Sequence, residues 1–267
     1  MSERKAIFVT GGGSGIGRAI ARKFAGEGWR VGLGDIDQAG MDETAQAIGA
    51  GDVFTHRFDV RDRAAWDEAL AAFAKAAGRI DVLANNAGIP LGGSLSECSP
   101  EEIERCLDIN LKGMLWGAQA VLPHLQQTAP GSALINTASA AGVYGTGGAS
   151  VYSATKFGVR GMTESLDAEW SEWGITVASI CPSFIETPLL DHAPHEGSNE
   201  SIRQRVAAAG LELTSAEDVA QAAWDAAHGD KLHWMVGKTA RQIAFAAKWL
   251  PGRVRKRSRS MGRPMGR

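Results

Sequence analysis

Seven short apolar runs, at residues 6–10, 30–34, 53–58, 80–84, 133–137, 176–180 and 234–236, alternate with longer segments in which Ala and Leu recur at helical spacing. This alternation constrains the fold more than any other feature. A strand that returns parallel to its predecessor needs a crossover of a dozen or more residues, and a helix is the usual crossover. Seven such strands fit one doubly wound parallel sheet with helices on both faces, an α/β class. With 267 residues, 44% of them hydrophobic, one domain of this kind buries a large core, and we assign residues 1–251 to it.

The helix signals agree with that rhythm. Ser99-Pro100-Glu101-Glu102 supplies a cap residue, a proline at the first helical position and a carboxylate at the third; Thr214-Ser215-Ala216-Glu217 repeats the capping pattern. Residues 188–210 break the rhythm with Pro, Gly, Asn, Ser and two histidines, and such an insertion in a compact domain reads as an active-site lid, mobile without ligand. Asp191, His192, His195 and Glu196 offer metal donors there, but the intervening proline breaks helical ligand spacing, so solvated loop residues and no metal site are expected. Residues 252–267 are rich in Arg, Lys, Ser and Gly, a composition expected to stay disordered.

Charge and cysteine content narrow the function classes. Residues 248–267 hold eight Lys or Arg and no Asp or Glu, which leaves the remainder with 20 basic against 30 acidic residues. An acidic body repels phosphate backbones, so nucleic acid is not an expected partner. Cys98, Cys106 and Cys181 are odd in number and lack C-x-x-C spacing, which disfavours a disulfide framework or a zinc site. The first apolar run is too short for a signal-peptide core, and no run approaches the roughly 18–20 residues of an integral membrane segment. A soluble, cytoplasmic protein is expected.

Directly after the first strand comes Thr10-Gly-Gly-Gly-Ser-Gly-Ile-Gly17, followed by a helical segment. Glycines let the backbone turn tightly and approach a pyrophosphate, and the helix N-terminus presents free N–H groups to it. Asp35 follows the second strand, 18 residues past Gly17, where its carboxylate can accept from the adenosine ribose hydroxyls and repel a 2′-phosphate. Ile36 follows it and Ser14 occupies the loop, so no base compensates a phosphate there except the nearby Arg18. These residues point to NAD rather than NADP.

Tyr152-Ser-Ala-Thr-Lys156 opens a later helix, so i, i+4 spacing puts phenol and ammonium on one face. A neighbouring ammonium and an oxidised nicotinamide both favour the phenolate and would bring the phenol toward the working pH. Read together and in order, Thr10 to Gly17, Asn85-Asn-Ala-Gly88, Asn110, Ser139 and Tyr152 to Lys156 resemble the short-chain dehydrogenase/reductase family over about residues 5–237.

The resemblance implies a single-domain Rossmann-like fold with a seven-stranded parallel sheet, and a catalytic tetrad of Asn110, Ser139, Tyr152 and Lys156. Tyr152 would exchange a proton with the substrate oxygen and Ser139 would hydrogen-bond that oxygen. Lys156 would hold the nicotinamide ribose and lower the Tyr152 pKa, and Asn110 would support a relay water. Cofactor contacts are implied for Gly11, Ser14, Gly15, Ile16, Gly17, Asp35, Ile36, Asp59, Val60, Asn86, Ala87, Gly88, Pro182, Ile185 and Thr187 besides Tyr152 and Lys156, with Asp59 accepting from the adenine amino group. The chain departs from the family at Cys181-Pro182-Ser183, where Pro-Gly is usual, so Ser183 is expected beside the substrate together with Ser139 and Tyr152.

The function expected is NAD-dependent interconversion of a secondary alcohol and a ketone. A non-catalytic NAD-binding sensor, or an epimerase or dehydratase on the same scaffold, are the alternatives. Trp116, Trp170 and Trp173 fall on two long helices that the family uses for assembly, which implies a homotetramer or homodimer. The substrate itself is open, because pocket walls vary independently of the catalytic residues.

Overall fold

The structure, a computed structural model, describes residues 4–49 and 53–261. Its elements run β1 (Ala6–Thr10), α1 (Gly15–Gly26), β2 (Arg30–Asp35), α2 (Gln38–Ile48), β3 (Val53–Arg57), α3 (Arg63–Ala77), β4 (Val82–Asn85), α4 (Pro100–Leu107), α5 (Gly113–Thr128), β5 (Ala133–Thr137), α6 (Ser150–Trp170), β6 (Thr176–Pro182), α7 (Ile202–Ala208), α8 (Ala216–His228), β7 (His233–Val236), α9 (Lys238–Trp249) and α10 (Pro251–Met261). The strands form one sheet of order β3-β2-β1-β4-β5-β6-β7, and every neighbouring pair is parallel.

The inner strands are apolar because both of their faces are covered, while the edge strands β3 and β7 are half-buried. Successive side chains of a strand point to opposite faces. Ile7 and Val9 of β1 therefore join Ile20, Phe24, Val219 and Ala223 of α1 and α8 on one side. Ala6 and Phe8 join Trp66, Phe73, Val121 and Trp170 of α3, α5 and α6 on the other. Gly32 of β2 is demanded by this second layer, since a Cβ there would stand 2.6 Å from the Phe8 ring and 2.7 Å from the Phe73 ring. Three strands reach further at their C-terminal ends than the apolar runs indicated, so Asp35, Asn85 and Pro182 belong to the ladder and are held at the sheet's functional edge.

Two expectations need correction. Residues 188–210 are not irregular throughout: α7 lies within them, and its start carries a complete capping box between Ser201 and Gln204. Residues 251–261 are helical as α10 rather than disordered; Val254 and Ser258 turn inward to line the cleft described below, while residues 262–267 lie outside the described part. Lys and Arg are good helix formers, and the inward Val254 helps α10 pack against α9. Of the three helix tryptophans, Trp170 is buried in the core, Trp116 packs partly against it, and Trp173 is exposed. Among the described residues no helix is long and apolar enough to cross a membrane.

Candidate active site

The strand order reverses between β1 and β4, and there the loops leaving the sheet diverge and open a crevice. The crevice is a cleft of about 2090 Å³, at least twice the roughly 300–1,000 Å³ that houses a drug-sized ligand.

Its floor on one side is the glycine turn after β1. Gly11 and Gly15 have φ of +67° and +51°, which L side chains rarely adopt. A Cβ on Gly17 would fall 2.0 Å from the Gly11 carbonyl oxygen, so α1 starts flush against the turn. Gly11, Ser14, Gly15, Ile16 and Gly17 all line the cleft, and α1 has no acidic residue in its first turn to oppose an anion. The backbone positions Asp35: its carboxylate accepts from Gly13 N at 2.9 Å and from Asp37 N at 3.1 Å, at the end of β2. Ile36, 60% exposed, offers an apolar face beside it. Arg18 is already engaged, donating to Gly13 O at 2.6 Å and Thr44 Oγ1 at 2.9 Å and pairing with Glu43 at 2.8 Å.

Asp59 and Val60 close this half of the cleft. Arg61 grips the Asp59 carboxylate through Nη2 at 2.6 Å and Nε at 2.9 Å, which holds its pKa below the usual carboxylate range. Asn86 is fixed between strands: Nδ2 donates to Thr10 O at 2.9 Å and Oδ1 accepts from Thr137 Oγ1 at 3.1 Å. Its side chain therefore seals β4 to β1 and β5, and its contribution to the cleft, like that of Ala87 and Gly88, is wall. Asn85 is deeper still, donating to Met114 O and Asn136 Oδ1.

Across the cleft, β5 ends at Thr137 and the chain passes through Ser139 to the start of α6. Tyr152 and Lys156 lie one turn apart on α6, with the Lys156 ammonium 5.6 Å from the Tyr152 ring centroid. Lys156 is 3% exposed, donates to Thr137 O at 2.9 Å, and burial lowers its pKa to about 8. The expected lowering of the Tyr152 pKa by Lys156 is not found. Burial pushes the phenol up to about 12, and the group that pulls it back is the Ser139 hydroxyl. The ammonium itself is desolvated and tied to Thr137. Ser139 Oγ accepts from Ala141 N at 3.1 Å and sits 3.5 Å from Pro182 O.

Asn110 lies at a widened, π-helical turn, Asp108–Lys112, between α4 and α5, the kind of irregularity that recurs at functional sites. Its amide makes a two-way bond with Ile89, accepting from the backbone N–H and donating to the carbonyl, each at 2.8 Å. Asn110 thereby sets the chain leaving β4, and its Oδ1 lies 3.2 Å from where a Gly88 Cβ would be.

After β6, Pro182, Ile185 and Thr187 line the cleft, and the Thr187 methyl lies 3.2 Å from where a Gly15 Cβ would be, so this loop meets the glycine turn. Ser183 also lines the cleft; its Oγ is buried without a hydrogen-bond partner among the described residues and lies 2.9 Å from where a Gly237 Cβ would be, near the start of α9.

Several residues of the site carry no motif. The lid segment is braced by Arg203, which pairs with Asp191 at 2.6 Å and with Glu186. It is also tied to the loop after β4: Gly92 N donates to Pro194 O at 2.7 Å and Glu196 N to Glu102 Oε1 at 2.8 Å. Gln242 and Ile243 of α9, Leu250 after it and Val254 of α10 form a further wall. The Ser201-x-x-Gln204 capping box was the unread signal for α7, but nothing local indicated that α9 and α10 return to the cleft. Among the described residues no cluster of three or more His, Cys, Asp or Glu side chains could hold a metal ion.

Comparison with known proteins bears on this arrangement. Residues 5–197 match the family described as short chain dehydrogenase. The chain is 33% identical to meso-2,3-butanediol dehydrogenase of Serratia marcescens over 205 residues, 77% of this chain and 80% of the relative. Its fold is similar to a short chain dehydrogenase/reductase from Burkholderia phymatum solved with NAD, with a TM-score of 0.82 at 26% identity over 100% of both chains. It is also similar to an actinorhodin polyketide ketoreductase variant solved with NADPH, with a TM-score of 0.78 at 29% identity over 88% of this chain and 97% of that one.

Proposed function

Because the chain belongs to the short-chain dehydrogenase family, we propose that it interconverts a secondary alcohol and a ketone, with NAD as hydride carrier and Tyr152 as proton donor and acceptor. The observation that carries this reading is the meeting of the Ser139 hydroxyl, the Tyr152 phenol and the buried Lys156 ammonium on one wall of the cleft, opposite a helix N-terminus set on a glycine turn.

The residues present fit a dinucleotide. Gly17 lets the backbone come close enough for a pyrophosphate to meet the α1 N–H groups, and Asp35 stands where a ribose diol would donate to it. Relatives solved with NAD and with NADPH share this fold, so the choice between them rests on local charge. Asp35 disfavours a 2′-phosphate; Arg18 at the start of α1 is occupied by Gly13 O, Thr44 and Glu43, and Arg57, opposite Asp35 on β3, donates to Ile36 O. NAD is the reading these contacts support. Ser14, Ile36, Asp59, Val60, Asn86, Ala87, Gly88, Pro182, Ile185 and Thr187 would form the remaining walls of its site.

Bound NAD supplies the hydride acceptor, and its reduced form the donor. Ser139 and Tyr152 would then grip the substrate oxygen between two hydroxyls, which orients its carbon and leaves the phenol in line for proton transfer. With a pKa of about 12 the phenol of the protein alone is protonated at neutral pH, the state that donates in ketone reduction. The accepting state requires positive charge beside the ring, and Lys156 is the protein's own source of it, one turn away. Asn110 keeps the floor rigid through Ile89. Residues 188–210 would close over the substrate, and assembly would use α5 and α6, where Leu115 and Phe157 are exposed.

The test is NADH formation by purified protein across a panel of secondary alcohols, run in parallel with NADP. Turnover with NAD that disappears in Tyr152→Phe is the expected result. Binding of NAD without turnover of any alcohol or ketone would overturn the reading in favour of a sensor or a different chemistry.

A further inference from the structure

The chain carries no Asp or Glu after Asp230, and from Lys238 to its end it holds ten Lys or Arg. The structure sorts these residues by face. On α9, Gln242, Ile243 and Ala246, with Leu250 just after it, line the cleft, while Lys238, Arg241, Phe245, Lys248 and Trp249 are exposed to solvent. Phe245 and Trp249 are 62% and 63% exposed, the two most exposed large apolar side chains among the described residues. On α10, Val254 and Ser258 face the cleft and Arg255, Lys256 and Arg259 face outward.

We propose that this outer face of α9 and α10 is a docking surface for an anionic lipid bilayer. Two exposed aromatics set among cations is the combination that seats an amphipathic helix in a headgroup layer, where Trp and Phe enter the acyl boundary and Lys and Arg remain with the phosphates. A second copy of the chain is a poor occupant, because a twofold contact would press this basic face against itself. Duplex nucleic acid would satisfy the cations, yet it offers Phe245 and Trp249 no apolar partner and meets an acidic body. The same two helices form a wall of the cleft, so docking brings that wall to the membrane. An alcohol or ketone that partitions into lipid is the substrate class this suits; that extension rests on the proposed oxidoreductase activity, whereas the docking does not.

Flotation of the full chain with vesicles of phosphatidylcholine alone and of phosphatidylcholine with phosphatidylglycerol tests the surface. Binding is expected to the anionic vesicles only, released by high salt. A cation near such a surface is worth roughly fivefold in partitioning, so Arg255→Gln/Lys256→Gln/Arg259→Gln should weaken binding by roughly a hundredfold, and Phe245→Ser/Trp249→Ser by roughly tenfold or more. Both variants should keep the parent's oligomer size, melting temperature and turnover of a small water-soluble alcohol, so that a lost surface is told apart from a failed enzyme. Absent or charge-independent flotation would overturn the proposal. So would an altered oligomer size in the Phe245/Trp249 variant, which would make the face a contact between copies, or tighter retention on duplex DNA than on vesicles.

Discussion

Replacing Lys156 by methionine should abolish turnover and at the same time change how stability depends on pH. The ammonium is 3% exposed, and burial brings its pKa from 10.5 to about 8. A tenfold change in proton affinity is about 1.4 kcal/mol, so holding Lys156 charged at neutral pH costs the folded state about 3 kcal/mol. The unfolded chain keeps this proton up to about pH 10.5 and the folded protein only up to about 8. Between those limits the unfolded state binds more protons, and stability therefore rises with pH as the folded amine becomes neutral. Methionine removes that dependence. It also leaves Thr137 O without its donor, a loss of about 1–3 kcal/mol that does not vary with pH. Tyr152 and Cys98 also have raised pKa values, but these are common to both proteins and cancel; Cys106 and Cys181, whose thiols Lys156 pulls down, rise further in the variant, which acts in the same direction by costing the variant stability as pH rises. Thermal melts of both proteins at pH 7 and pH 10 should thus show wild type gaining about 2.5 kcal/mol relative to the variant, or about 5–10 °C in Tm for a chain of this size. A difference in Tm that stays flat across that interval would refute the idea that Lys156 is held charged against desolvation.

Asp35→Ala should raise the NADP to NAD ratio of kcat/KM by roughly tenfold to a hundredfold, since it removes a charge that would lie against a 2′-phosphate; an unchanged ratio would remove Asp35 from cofactor choice. Ser183→Ala deletes a buried hydroxyl that has no partner among the described residues, and should stabilise the protein by about 1 kcal/mol without reordering the alcohols it accepts. A reordered substrate panel would show that the hydroxyl does reach the cleft. Arg203→Ala cuts the ties to Asp191 and Glu186, and is expected to raise KM several-fold while kcat changes little, with faster amide exchange in residues 188–210; unchanged exchange would mean that these ion pairs do not brace the segment.

The parts of this protein written in local pattern could be read from the chain, and those decided by distant packing could not. The strands were legible because the five inner ones are buried on both faces and so appear as apolar runs, with half-buried β3 and β7 at the edges. The pairing of Tyr152 with Lys156 followed from helical spacing alone. The height of the Tyr152 pKa did not, since it reflects how many atoms the fold crowds around one oxygen. The surroundings of the Ser183 hydroxyl were equally hidden, since they are set by how closely the distant Gly237 approaches it. Helix α7 was announced by Ser201 and Gln204 but masked by the Pro, Gly and Asn around it. Residues 251–261 misled because their composition describes an isolated peptide, whereas Val254 finds its apolar partners in a cleft built by the rest of the chain.

The ties between the segment after β6 and the loop after β4 bear on any attempt to redesign this protein. Pro194 O holds Gly92 N, and Glu102 holds Glu196 N, so two stretches of chain a hundred residues apart behave as a single replaceable part mounted on a fixed base. The base is the sheet edge with Ser139, Tyr152 and Lys156, and neither tie touches it. Grafting one stretch from a relative without the other would leave a backbone donor and a carboxylate without their counterparts, so transplants of substrate scope should be made as matched pairs of loops.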